Sequence, residues 1–161
     1  VCFVDKGNKK HLLARLLREP EVDSALVFTR TKHGANRVVK ELAAAGMEAM
    51  AIHGNKSQTA RQQALGRFKA GELAVLVATD VAARGIDVTD VDAVFNYDVP
   101  PSNEYYTHRI GRTGRAKHTG EAYVLYTKEE HKRVRDMLRY TRNTATPIAF
   151  DENRSIIPGT F

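Results

Sequence analysis

Leu73-Ala74-Val75-Leu76-Val77-Ala78-Thr79-Asp80 decides how the fold is read. Six apolar residues run without a charge and then give way to a hydroxyl and a carboxylate. A strand covered on one face alternates apolar and polar residues, whereas an unbroken apolar run suits a strand covered on both. Strands of that kind lie inside parallel sheets, and parallel strands are joined by helices. Upstream, Ser57 can cap a helix that runs to Ala70 and stops at Gly71. Residues 48–52 read as a strand, preceded by a helix over 32–44 that Gly46 ends. Ala25-Leu26-Val27-Phe28 is a second short apolar run. Asn8 can cap a helix over 9–18 that carries Leu12, Leu13, Leu16 and Leu17 on one face, and Pro20 ends it. Residues 1–4 read as a short strand.

Downstream, Asp80 can cap a single turn closed by Gly85, and residues 90–97 hold another strand. Pro100-Pro101 breaks the chain, Ser102 can cap the next helix, 121–126 is a strand and 128–140 a long helix. Strands and helices therefore alternate, as in an α/β domain with a mainly parallel sheet and helices on both faces. The domain is expected to span residues 1–142, with 143–161 an irregular tail, because no period is visible there. Ligands gather at the carboxyl ends of such strands. Here those ends read Thr29-Arg30-Thr31, His53-Gly54-Asn55, Thr79-Asp80 and Asp98, all polar.

Composition narrows the function. Within 161 residues there is one cysteine, so neither an internal disulfide nor a cysteine metal cluster forms. No apolar run approaches the roughly 18 residues of a membrane span, and no export pattern opens the chain. These features fit a cytoplasmic protein. The net charge is +6, and residues 105–142 carry ten Lys or Arg against four Asp or Glu, which is the whole excess. An excess confined to one quarter of the chain suggests a surface for a polyanion.

The densest part of that quarter is His108-Arg109-Ile110-Gly111-Arg112-Thr113-Gly114-Arg115. Arginines recur every third residue, and each carries a permanent charge and a planar fork of donors. Glycines between them let backbone approach a ligand. The stretch reads as a short helix that breaks and presents Arg112 and Arg115 to a phosphate; a basic helix end is the plainer reading. Arg61 stands in the first turn of its helix, against the dipole, which favours an anion partner. Lys32, His33 and Gly34 open another helix, whose free N–H groups also favour one. Thr79 can donate to a phosphate oxygen, and Asp87 can accept from a ribose hydroxyl. The chain lacks Gly-x-x-x-x-Gly-Lys-Ser/Thr; Gly66 and Gly71 have the spacing, but Glu72 follows. No nucleophile–base pair is visible. Such a chain grips phosphate without the means to bind Mg-ATP or activate water by itself.

These stretches, taken together, resemble the second RecA-like domain of DEAD-box ATP-dependent RNA helicases. Residues 26–31 are similar to motif IV, Gln58-x-x-Arg61 to motif IVa, residues 78–87 to motif V and His108 to Arg115 to motif VI, in the family's order. The wording of residues 29–36 and 52–58 is most similar to the bacterial RhlE-like subgroup. The resemblance implies a three-layer α/β/α RecA-like domain. It implies arginine fingers at Arg112 and Arg115, ATP contacts at Gly85 and Asp87, and contact with the partner domain at His108 and Arg109. It also implies RNA-backbone contacts at Arg30, Thr31, Lys32, Gly34, Arg61 and Thr79. The family's first domain carries the phosphate loop and the carboxylates for Mg²⁺, so the chain is expected to be part of a larger enzyme. Alone it is expected to bind no cofactor and hydrolyse no ATP. Its partners would be RNA, read without regard to sequence, and the first RecA-like domain; no membrane is expected.

Two other classes stay open at this point. Gly111-Arg112-Thr113-Gly114 fits the GxxG loop of a KH-type RNA-binding module, although that module needs neither so many buried strands nor Asp87. A protein-interaction domain could instead use the basic helix over 128–142 against an acidic partner.

Overall fold

The computed structural model describes residues 2–3, 8–54, 56–84, 86, 88, 90–112, 120–142, 145–150 and 156–159. Gly85, Asp87 and Arg115 lie outside the described residues, as do Asn55 and the rest of 113–119.

The elements follow in the order β1 (Cys2–Phe3), α1 (Lys9–Leu17), β2 (Ala25–Thr29), α2 (Lys32–Ala44), β3 (Ala49–Ile52), α3 (Gln58–Lys69), β4 (Val75–Thr79), α4 (Asp80–Arg84), β5 (Ala93–Asn96) and α5 (Asn103–Ile110). Then come β6 (Glu121–Tyr126), a 3₁₀ turn at Lys128–Glu130, α6 (His131–Tyr140), β7 (Ile148–Phe150) and β8 (Ile156–Pro158). The strands form one sheet in the order β3-β4-β2-β5-β6-β1-β7-β8. All pair parallel except β7 with β8. The expected α/β architecture with a mainly parallel sheet is what the chain forms.

Period-two alternation splits the strands between two faces. Ala25 and Val27 of β2 pack with Leu12, Leu16, Val38 and Leu42 of α1 and α2. Leu26 and Phe28, one residue out of step, pack with Ala64, Phe68 and Ala83 of α3 and α4. A third group joins Val124 and Tyr126 of β6 to Tyr106 of α5 and Val134 of α6. This is why β2 and β4 read as unbroken apolar runs: both sides of each are covered. It also makes three layers, helices–sheet–helices.

The helix ends follow elementary capping rules. Ser57 Oγ accepts from Ala60 N (3.0 Å), Ser102 Oγ from Tyr105 N (3.2 Å) and Thr31 Oγ1 from Gly34 N (3.0 Å). Gly46 and Gly71 take positive φ (84° and 80°) where α2 and α3 stop. Asn8 stands at the α1 N-cap but makes no side-chain cap bond. The long helix expected over 128–140 divides, because the Glu130 carboxylate accepts from Thr127 N (2.9 Å) and Oγ1 (3.0 Å) and holds the first turn as 3₁₀.

The expectation of an irregular tail is corrected. Within it, β7 pairs with β1 and β8 folds back on β7. Ile148 and Ile156 pack on the α1 and α2 core. Three-residue strands are too short to show a period in sequence; the free side of β1 supplies the template.

Candidate functional site

Register places the site. Thr29 aligns with Thr79, and Phe28 aligns with both Ala78 and Asn96. Ile52 aligns with Ala78. The chain therefore leaves β3, β4, β2 and β5 at the same edge, adjacent strands being about 4.8 Å apart. The α2 and α3–α4 cores lie on opposite faces, so the connection after β2 departs to the other side from those after β4 and β5. A crevice between diverging connections is where open α/β sheets bind ligands.

The turn after β2 is fixed from inside. Buried Thr29 donates Oγ1–H to Thr31 O (3.1 Å), and Arg30 N–H donates to Asp98 Oδ2 (2.8 Å). Arg30, Thr31 and Lys32 are left with exposed side chains at the start of α2, and no acidic residue occupies the first turn. At Gly34 a Cβ would stand 3.3 Å from Thr31 Oγ1 and 3.6 Å from Thr29 Cβ. Glycine thus lets the first turn of α2 sit close against Thr29 and Thr31. Thr79 is half-buried beside it in the neighbouring strand. Arg61 is also half-buried at the head of α3, and its Nε is buried without a hydrogen-bond partner among the described residues. His53, buried at the end of β3, meets Asn36 Oδ1 through Nε2 (2.9 Å) and so ties β3 to α2. Burial first, then Lys56, Lys32 and His33 nearby, hold its pKa below the ordinary histidine value.

The arginines of α5 and its end fall into different environments. Arg109 is 1% exposed. Its Nε and Nη2 grip Asp80 Oδ1 and Oδ2, both at 2.7 Å, and Nη1 donates to Asp98 O (2.7 Å) and Asn96 Oδ1 (3.2 Å). The guanidinium also lies over the Phe28 ring, 5.2 Å from its centroid. Arg109, expected at the contact with a partner domain, is thus engaged within this domain. The buried fork with its bidentate carboxylate fastens α5 to the start of α4 and to the end of β5. Asp80, expected as a helix cap, is spent on this fork instead. His108, the adjacent residue, is exposed.

Arg112 is half-buried. Its Nη2 donates to Ala83 O (2.9 Å), and its Nη1 donates to Ile86 O and Val88 O, both at 3.1 Å. These carbonyls belong to the end of α4 and the loop after it, and helix-end carbonyls lack intrahelical partners. Arg112 thus fastens the end of α4 at Ala83 and the loop residues Ile86 and Val88 to the end of α5. Arg84 completes this corner: it is exposed, with its guanidinium 4.9 Å from the Tyr105 ring centroid. A recess of about 20 Å³ is bordered by Arg84, His108 and Arg112, with Asp80 and Arg109 among its walls.

The edge therefore gathers Arg30, Thr31, Lys32, Gly34 and Thr79, with Arg61 at the head of α3, and the α4–α5 corner gathers His108 and Arg112. Arg109 stands behind that corner. Asp80, Asn96, Asp98 and Arg84 were not singled out as site residues from sequence. Asn96 offers a signal: it is a fully buried amide inside an apolar strand, and such a group needs partners. Its Nδ2 donates to Tyr123 O (2.9 Å). Among the described residues, no group of three or more His, Cys, Asp or Glu side chains gathers into a metal site.

Residues 8–117 match a family model described as the helicase conserved C-terminal domain. The chain is 45% identical over 129 residues to the ATP-dependent RNA helicase dbp2 of Sclerotinia sclerotiorum, covering 80% of this chain and 22% of that protein. It thus spans about a fifth of the length of such relatives. The DEAD-box protein SrmB of E. coli, solved bound to the regulator of ribonuclease activity A, superposes with TM-score 0.88 at 38% identity, over 99% of this chain and 93% of that one. Dbp5 of S. cerevisiae, solved bound to RNA and ADP BeF3, superposes with TM-score 0.83 at 30% identity, over 94% of this chain and 41% of that one. Curated relatives of dbp2 and DDX17 type come from fungi and mammals and lend no support to the bacterial RhlE-like subgroup expected from the wording of residues 29–36 and 52–58.

Proposed function

We propose, from a chain that belongs to the helicase conserved C-terminal domain family and resides among DEAD-box ATP-dependent RNA helicases, that it works as the moving half of an RNA-stimulated ATPase that separates short RNA duplexes. One observation carries the reading: the strand order brings four segments, distant in sequence, to one edge of the sheet. ATP with Mg²⁺ would reach this edge on a first RecA-like domain. His108 and Arg84 would face that domain. Arg112 and Arg115 would meet the γ-phosphate, and Gly85 and Asp87 the ribose. Arg30, Thr31, Lys32, Gly34, Arg61 and Thr79 would hold RNA phosphates, and the solved Dbp5 complex with RNA supports RNA as the partner. Contacts to phosphate position a strand without reading its bases. A cytoplasmic setting belongs to the same proposal, supported by the scarcity of cysteine.

The RNA part is tested by titrating this chain with single-stranded RNA at stepped salt concentrations. Affinity should fall linearly on a log–log scale, change little with base composition, and show a slope shallower by about 0.7 when Arg61→Ala removes one phosphate contact. Binding that ignores salt and follows base identity would make the chain a base reader and defeat the proposal.

A further inference from the structure

Two cavities, of about 510 and 440 Å³, lie along α1 and α2, and Lys10 and Glu41 line both. They are one groove between the two helices. Its upper mouth is formed by Arg30, Thr31 and Gly34, so it opens where the sheet edge is assigned to RNA phosphates. From there it passes His33 and Arg37, one turn apart on α2, with Lys10 across from them on α1.

The charges along the upper groove are unequally committed. The acids are spent on the protein's own donors. Asp98 holds Arg30 N–H (2.8 Å), Glu130 holds Thr127, and Glu41 takes the Tyr97 hydroxyl (3.5 Å). Lys9 is spent as well: it is 7% exposed, donates to Tyr97 O (2.8 Å) and lies over the Tyr97 ring. By contrast, the exposed side chains of Lys10 and Arg37 make no hydrogen bond or ion pair among the described residues. Lys9, Lys10, Arg30 and Arg37 stand against Glu41, Asp98 and Glu130, so the lining keeps a net charge of +1, and Lys10 and Arg37 are the cations left uncommitted for a ligand. Residues one helical turn apart stand about 5–6 Å from each other, so Arg37 follows His33 down α2, and the cations Arg30, Lys10 and Arg37 are spread along the groove rather than gathered in a single anion pocket.

We infer that this groove carries the RNA strand onward from the sheet edge, with Arg37 and Lys10 as its next phosphate contacts. The inference rests on the phosphate-binding reading of the edge. Continuity with that edge is what favours RNA over an acidic peptide.

The test compares two lengths of oligouridylate on this 161-residue chain. One is about six nucleotides long, enough for the edge, and the other about twelve, within the range of single-strand site sizes. Lys10→Ala with Arg37→Ala should weaken the longer strand roughly tenfold at low salt and make its salt slope shallower by about 1.4, for two lost phosphate contacts. The shorter strand should bind as before. Arg61→Ala should weaken both. If the paired variant leaves the longer strand unchanged, or weakens both lengths equally, while Arg61→Ala still weakens both, the groove assignment falls and the edge assignment stands. If Arg61→Ala changes neither length, the edge assignment falls and takes the groove with it. If the paired variant spares RNA but abolishes binding of an oligoglutamate probe, the groove belongs to an acidic peptide and the inference is overturned.

Discussion

In the full-length protein, Arg112→Ala is expected to lower RNA-stimulated ATP turnover by roughly 10³ to 10⁵, the worth of an arginine finger. Negative charge on the transferring phosphoryl group meets a positioned guanidinium, and its removal raises the barrier by about 4 to 7 kcal/mol. The structure adds a second consequence. In this state the guanidinium is bonded to Ala83 O, Ile86 O and Val88 O. The variant should therefore also lose about 2 kcal/mol of stability, the scale of hydrogen bonds from a charged donor. Arg112→Lys should repair neither property, because an ammonium is a point charge and cannot span three carbonyls as a planar fork does. Arg115→Ala should give the same loss of turnover. Turnover, ATP affinity and thermal unfolding measured side by side separate the effects. Turnover that falls only in proportion to the loss of folded protein would make Arg112 a structural residue alone.

Arg109→Met should unfold the domain far more readily than any change at the exposed edge. It removes the cation from a buried bidentate pair and leaves Asp80 with no side-chain partner for either oxygen among the described residues. Asn96 Oδ1 and Asp98 O lose a donor at the same time. Breaking one side of such a pair costs about 3–5 kcal/mol, which is roughly 6–20 °C in melting temperature for a chain of this size. Asp80→Leu combined with Arg109→Met should regain part of the loss, since no buried charge is then left alone. A change of less than about 1 kcal/mol for Arg109→Met, measured by denaturant unfolding, would show that the fork does not hold α5 in place.

Layers and edge were legible because they follow from local pattern. Unbroken apolar runs at β2 and β4 announced coverage on both faces, and Ser57, Ser102, Gly46 and Gly71 announced helix ends. The segments that meet at the edge were legible for the same reason, since parallel strands all end on one side. The roles within the arginine stretch were not. Arg109 and His108 are neighbours in sequence, yet one is sealed against Asp80 and the other faces solvent. Which way each side chain points is set by helix rotation and by a carboxylate 29 positions away, and neither shows in a motif. The same holds for Arg112, whose carbonyl partners carry no side-chain signature at all. β7 and β8 were hidden because pairing, β7 with β1 and β8 with β7, and not their own residues, makes them strands.

The central claim is that this chain supplies one half of a divided catalytic site. ATP turnover in the presence of RNA tests it most directly, measured on this chain alone, on a first RecA-like domain alone, and on the full-length protein that joins them. Only the joined protein should hydrolyse ATP, because phosphate loop and Mg²⁺ carboxylates would lie on one side of the cleft and Arg112 and Arg115 on the other. Turnover by this chain alone, lost on Arg115→Ala, would contradict the account.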